Sequence, residues 1–326
     1  MSDARSPGVF ARIILVPLRL ATGWGRSPRS LGFMGIMSLI LLRLCIGFHF
    51  YSEGVDKLSG DFDAGKFFSV ARGPFAGHFQ RQVWDWNGNI RLDSERTIQT
   101  WANYRKAVKD HYEMDDAQRD KVEQAYARAI RQLEWVLQSN ANEIEQFELG
   151  RERILQLEKD AMRSGVTSLG GQRDTVRREW QQLINPVFVQ IDKIWTNLET
   201  EANGVATSEQ SKRGVLKLGK PRDVLVDTSV INPIIPYFDM TIGICLLLGL
   251  FTPAAALIAA GFLGSVFMSQ YPPTTGPGST YYHLAEAAGC LVLAGTGAGR
   301  FAGLDFIFYA ISARLWPANS ERTSNG

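Results

Sequence analysis

Four stretches of the chain are apolar and close to the length that a bilayer-crossing helix needs. They cover residues 32–52, 234–251, 252–271 and 281–297. The hydrocarbon core of a bilayer is about 30 Å thick, and about 20 helical residues span it. The pattern therefore predicts an all-α protein built on a four-helix transmembrane bundle.

The long polar segment between the first two stretches, residues 61–233, has a different pattern. From about Asp93 onward its apolar residues recur every three or four positions, as in an amphipathic helix. A glycine-containing break at 165–171 separates two such stripes, and Pro186 lies within the second. The pattern predicts a long antiparallel helical hairpin, coiled-coil-like, outside the membrane. The stripes consist of Val122, Tyr126, Ala129, Leu133, Val136, Ile144, Phe147, Ile154 and Met162, and then of Val176, Trp180, Leu183, Val187, Ile191, Ile194 and Leu198.

These patterns divide the chain into five parts. We predict an amphipathic cytoplasmic leader at 1–30, the first transmembrane helix at 31–60 and an extracytoplasmic helical domain at 61–233. Transmembrane helices two to four occupy 234–300, and a cytoplasmic tail occupies 301–326.

The basic residues of the leader predict the orientation. It carries five arginines before the first apolar stretch, and basic residues accumulate on the cytoplasmic side of a membrane. Four spans then return the C-terminus to the same side and leave residues 61–233 outside. We therefore expect a multi-pass protein of the cell (inner) membrane with both termini inside.

Charge and cysteine usage exclude several function classes. Residues 61–233 contain 26 acidic and 25 basic residues, a net charge of −1, which argues against nucleic-acid binding. Cys45, Cys245 and Cys290 each stand alone in an apolar stretch. This spacing supports no disulfide scaffold, zinc site or thiol exchange, and no metal site is predicted.

Ionisable residues inside the apolar stretches mark the candidate site. They are Arg43, Asp239, His283 and Glu286, and Lys57 lies on the Arg43 face of the first helix. A charge at such depth is costly, so it indicates a function or a paired structural lock. We compared how deep in the membrane each of these residues would lie. Their similar depths predict that Arg43 pairs with Glu286 and secondarily with Asp239.

Glycines on the same helix faces predict where the helices approach closely, because glycine lets backbones come near each other. The predicted helix-packing residues are Gly47, Gly54, Gly243 and Gly297.

Three interpretations of these ionisable residues are open. They lock the bundle, or they line a pocket for a quinone headgroup or a proton path, or His49 and His283 hold a haem. Neither histidine has a local haem motif. The sequence establishes no cofactor, and quinone is the candidate ligand. Outside the membrane, the Trp-Asp-Trp sequence at 84–86 predicts an anchor on the bilayer surface, with a ligand-stacking site as the alternative.

Three segments resemble the DoxX family of integral membrane proteins. They are LLRLCIGFHFYSEGVDKL at 41–58, GICLLLGLFTPAAAL at 243–257 and GTGAGRFAGLD at 295–305. The resemblance implies a four-helix membrane bundle, here with a large helical insertion after the first span. It also implies a link to redox chemistry, since some relatives are linked to thiosulfate:quinone oxidoreductases and others to membrane redox or thiol-stress complexes.

Three functions follow as hypotheses. The first is a membrane subunit of a quinone-linked oxidoreductase or redox complex. The second is a non-enzymatic scaffold, embedded in the lipid bilayer, whose outer helices at 90–203 dock a partner protein. The third is a small-solute transporter. The sequence assigns no catalytic residue and leaves open whether the chain is itself an enzyme.

Overall fold

The computed structural model describes most of the chain as α-helix. Apart from an isolated bridge between Arg72 and Gln270, the described residues contain no extended pairing, which confirms the all-α prediction. The predicted leader lies outside the described residues. The structure describes the backbone of residues 31–60, 62–164, 168–271 and 280–315, and the side chains of these residues except 157–176, 178 and 312–315.

The described residues form eleven α-helices. They are α1 Phe33–Ser59, α2 Ala64–Ser69, α3 Ala76–Gln80, α4 Ser94–His111, α5 Asp116–Ser139, α6 Ala141–Ser164, α7 Ser168–Gly204, α8 Thr228–Leu248, α9 Thr252–Ser269, α10 Tyr281–Thr296 and α11 Asp305–Leu315.

Three of these helices, α1, α8 and α9, are long and apolar enough to cross a membrane. Their length and composition are compatible with an integral membrane protein. The fourth predicted span forms α10, whose 16 residues extend about 24 Å, less than the thickness of the hydrocarbon core. The four-helix transmembrane bundle therefore stays a prediction.

The chain divides into two compact units, one of residues Met1–Val83 with Val226–Gly326 and one of residues Trp84–Leu225. In the first unit, α1 packs along α8, and α10 packs along α9. Aspartate and glycine define the ends of α8: Asp227 accepts a hydrogen bond from the Ser229 N–H, and Gly249 ends the helix in the left-handed conformation. The shared core includes Leu39, Ile46, Phe50, Ile242, Leu246, Leu263, Cys290 and Leu293.

Glycines allow the close contact between α1 and α8. A Cβ atom on Gly243 would lie 2.5 Å from the Tyr51 backbone nitrogen, and one on Gly54 would lie 2.7 Å from that of Met240. Gly47 has a similar environment against α8. Gly297 differs from these three, because it ends α10 with φ of 60° and faces the Arg300 side chain. It acts at a helix end rather than at a helix crossing.

We expect Gly243→Ala to destabilise the first unit. The added methyl group would meet backbone atoms, which cannot rotate away, and overpacking of this kind costs about 1–3 kcal/mol. The matched control is Gly261→Ala on α9, where a Cβ would have no neighbour within 4 Å. Thermal melting in detergent should show a lower Tm for the first variant and an unchanged or higher Tm for the control. Equal shifts would contradict this account of the α1–α8 contact.

The second unit contains α4 to α7 around an apolar core. In it α5 and α6 both pack against α7, and α4 packs against α5 and α7. A capping box starts α5, in which the Asp115 side chain and the Gln118 side chain each bind the other residue's backbone. The first helix of the predicted hairpin is thus two helices, α5 and α6, that meet at Asn140. The predicted second helix is α7, and Pro186 lies inside it. The antiparallel, coiled-coil-like arrangement of a hairpin therefore remains a prediction.

The predicted bilayer anchor at Trp84 and Trp86 is wrong. These side chains are only 5% and 8% exposed, and they belong to the interior of the second unit. Trp84 packs edge-to-face on Trp195 with ring centroids 5.9 Å apart, and its indole N–H donates to the Pro221 carbonyl at 2.8 Å. Tryptophan favours membrane interfaces only where no protein core takes up its ring.

Candidate functional site

The Arg43 side chain does not form the predicted ion pair with Glu286. Its guanidinium donates to the backbone carbonyls of Ala298, Phe301 and Ala302 at 3.3, 3.2 and 3.1 Å. These carbonyls belong to the turn that follows α10. The prediction of the pair is wrong because it compared only side-chain charges, whereas a turn can offer several carbonyl acceptors at once.

Asp305 follows this turn in the sequence and binds the start of α9. Its carboxylate accepts the N–H groups of Phe251 and Thr252 at 2.7 and 2.8 Å, where α9 begins. It is also the acidic group whose charge acts on Arg43. Burial raises the pKa of the Asp305 carboxyl, and the N–H donors oppose that rise. Arg43 of α1 thus binds the turn after α10, and Asp305 at the start of α11 binds the start of α9. These contacts fit a structural lock.

A second polar cluster lies toward the C-terminal end of α1. There a cleft of about 80 Å³ opens between α1, α8, α9 and α10. Phe50 and Leu263 give it apolar walls, and Tyr282, which is 58% exposed, forms one side. Its full lining is His49, Phe50, Glu53, Lys57, Asp239, Leu263, Tyr282 and His283.

Lys57 joins two carboxylates in this cleft. Its Nζ atom lies 2.7 Å from Asp239 Oδ2 and 3.1 Å from Glu53 Oε2. Asp239 is 1% exposed, and its Oδ1 atom has no hydrogen-bond partner among the described residues. One oxygen of this buried carboxylate is therefore left without a donor among these residues.

His49 links the cleft to Glu286. The Nδ1 atom of His49 lies 2.7 Å from Glu286 Oε1, and its Nε2 atom lies 3.8 Å from Glu53 Oε1. The sequence reasoning considered His49 only as a haem ligand and missed a role for Glu53. The signal was present, because His49, Glu53 and Lys57 are spaced four residues apart and so neighbour one another on one helix face.

The structure thus brings Lys57, Asp239, His283 and Glu286 to one region and leaves Arg43 elsewhere. Arg43 precedes Lys57 by 14 residues, which is about 21 Å along a helix. Among the described residues, no group of three or more His, Cys, Asp or Glu side chains is arranged to hold a metal ion. The cleft can offer hydrogen bonds, exchange protons and contact a flat or apolar ligand.

Comparisons of the chain with protein-family models, with curated proteins and with solved structures gave no match. Over the part of the chain that the structure describes, the fold defines a helical protein with three helices that can cross a membrane.

Proposed function

We propose that the chain is an integral membrane protein of the DoxX type and serves as a membrane subunit of a quinone-linked oxidoreductase or redox complex. The observation that carries the proposal is the cleft between α1, α8, α9 and α10. It combines hydrogen-bonding and titratable groups with aromatic and aliphatic walls, on helices that are otherwise apolar. Ligand sites are commonly built in this way.

The chemistry of a quinone headgroup suits this lining. Its two carbonyl oxygens accept hydrogen bonds, and the Lys57 ammonium and the Tyr282 hydroxyl are donors at the cleft. Its ring is flat and apolar, which matches Phe50 and Leu263. Small-molecule pockets usually enclose roughly 300–1,000 Å³, so this smaller cleft would take the oxygen-bearing edge of the ring. The exposed side at Tyr282 leaves room for the remainder, and the apolar tail of the quinone would lie in lipid.

We expect the purified full-length protein to retain quinone, and Tyr282→Phe to retain less. Losing one hydrogen bond of about 0.5–1.5 kcal/mol lowers affinity about two- to tenfold. The matched control is Tyr281→Phe, because Tyr281 is similarly exposed, at 54%, but does not line the cleft. Quinone is extracted after purification in mild detergent and quantified by mass spectrometry. A wild type without quinone, or equal loss in both variants, would contradict the proposal.

A second proposal, the scaffold, is favoured by exposed apolar side chains on the second unit. Trp135 is 64% exposed, Leu149 58% and Val189 65%. Tryptophan is among the residues most enriched where proteins bind each other. Partner docking through residues 90–203 would therefore depend on Trp135, and Trp135→Ala should lose a co-purifying protein that the quinone-site variant Tyr282→Phe keeps.

We further propose that residues 61–233 lie outside the cell membrane and both termini inside. In a variant without the three native cysteines, Ser139→Cys at the exposed end of α5 should react with an impermeant maleimide in intact spheroplasts. Ser320→Cys, in the predicted cytoplasmic tail, should react only after lysis. The reverse pattern would overturn this orientation, which rests on the leader arginines.

A further inference from the structure

Five titratable side chains of the first unit form one continuous series of contacts. In order they are Glu286, His49, Glu53, Lys57 and Asp239, and the successive distances are 2.7, 3.8, 3.1 and 2.7 Å. Three members come from α1, one from α8 and one from α10. The series therefore runs around the cleft rather than along one helix.

One end of the series is buried, the other end is partly buried, and its middle is exposed. The side chains of Asp239 and Glu286 are 1% and 13% exposed, whereas that of Glu53 is 49% exposed. Glu53 is thus the most exposed member of the series. Both residues that touch it, His49 and Lys57, also line the cleft.

The series alternates groups that can give a proton with groups that can take one. Its three carboxylates contact one imidazole and one ammonium. Each contact therefore joins a possible proton donor to a possible proton acceptor. The other groups at the cleft are Tyr282 and His283 of α10, while α9 contributes the apolar Leu263.

We infer that this series carries protons between the medium and the carbonyl oxygens of the quinone, with Glu53 as the exchange residue; the inference rests on the proposed function. Reduction of a quinone to a hydroquinone takes up two electrons, here from an electron-donating partner protein, and two protons. The Lys57 ammonium gives one proton to a carbonyl oxygen, and the His49 imidazolium gives the other. Each donor then recovers a proton from Glu53, whose carboxylate takes one from water in turn.

The two end residues of the series position the two donors. Asp239 holds the Lys57 ammonium at 2.7 Å. Glu286 accepts the Nδ1–H of His49, which leaves Nε2 as the nitrogen that exchanges protons. The 3.8 Å between Nε2 and Glu53 exceeds a hydrogen bond, so a water or a small side-chain rotation completes that step.

The test measures quinone reduction by the full-length protein. The protein is loaded with ubiquinone-1, freed of excess quinone by gel filtration and mixed with dithionite as the electron donor, and the rate is expressed per bound quinone across pH 5–9. A positioned proton-transfer group typically contributes 10²–10⁴-fold, so Glu53→Gln should slow reduction at least tenfold. Added formate or azide, small weak acids, should restore most of the rate.

The matched control is Asp56→Asn, an acid-to-amide change at an exposed position of α1 outside the series. It should reduce quinone at the wild-type rate over the same pH range. If Glu53→Gln binds quinone and also reduces it at the wild-type rate, or if its slow rate is not rescued by weak acids, the proton path is wrong and the quinone site stands. If the wild type binds no ubiquinone-1, the proposed function fails and the inference with it.

Discussion

Replacing Arg43 by alanine is expected to lower the free energy of unfolding in detergent by about 3–5 kcal/mol. The guanidinium is 2% exposed and satisfies the carbonyls of Ala298, Phe301 and Ala302. Its removal leaves buried acceptors without donors, removes one of the cations that interact with the buried Asp305 and opens a cavity. Arg43→Lys should recover only part of the loss, because one ammonium cannot reproduce a planar guanidinium.

The measurement is equilibrium unfolding in mixed micelles. The control is Arg81→Ala, an exposed arginine of the same unit, which should change stability by less than about 0.5 kcal/mol. The double variant Arg43→Ala with Glu286→Ala should be additive, since the two side chains belong to separate clusters. A large coupling energy between the two changes would instead support a direct ion pair between Arg43 and Glu286, which the structure does not show.

Replacing Lys57 by alanine is expected to cost about 3 kcal/mol, because it leaves the buried Asp239 carboxylate without its cation. Lys57→Ala combined with Asp239→Ala should cost less than the sum of the single changes by about 2 kcal/mol, since neither charge is then left alone. Unfolding in the same micelles gives the four free energies of this double-mutant cycle.

A cycle between Arg43→Ala and Asp239→Ala is the matched comparison, and it should show no coupling. If the Lys57–Asp239 cycle is equally additive, then the 2.7 Å contact between these side chains does not stabilise the fold. The two residues would then act only in ligand binding.

The helices were predictable from the sequence because the apolar stretches are long and their ends are marked. Proline at the start of α9 and glycine at the ends of α8 and α10 act locally, so their effect is visible in the sequence. The helix α1 continues through Lys57 to Ser59, beyond its apolar residues. Polar residues at a helix end give no hydropathy signal even when they line a site.

Only part of the cleft lining was predictable, because Glu53 and Tyr282 were not identified from the sequence and neither was the pairing of the charged residues. A charged residue within an apolar stretch is visible in the sequence itself, and this feature identified Arg43, Asp239 and Glu286 as candidate site residues. Their partners depend on backbone carbonyls and on which side chains cross between helices, and neither leaves a pattern in one sequence. Trp84 and Trp86 were misplaced for a related reason, because an indole ring suits both a membrane interface and a protein core.

The distance in sequence between Arg43 and its acceptors bears on how the protein is made. The Ala298 carbonyl lies 255 residues after Arg43, and at synthesis rates of about 5–20 residues per second the ribosome needs roughly 10–50 s to produce it. During this interval α1 is without the carbonyl groups that Arg43 binds in the folded protein. Lys57 has Glu53 of its own helix as a partner from the start, but it meets Asp239 only 182 residues later. The helix therefore acquires its last polar partners only when the turn after α10 has been made.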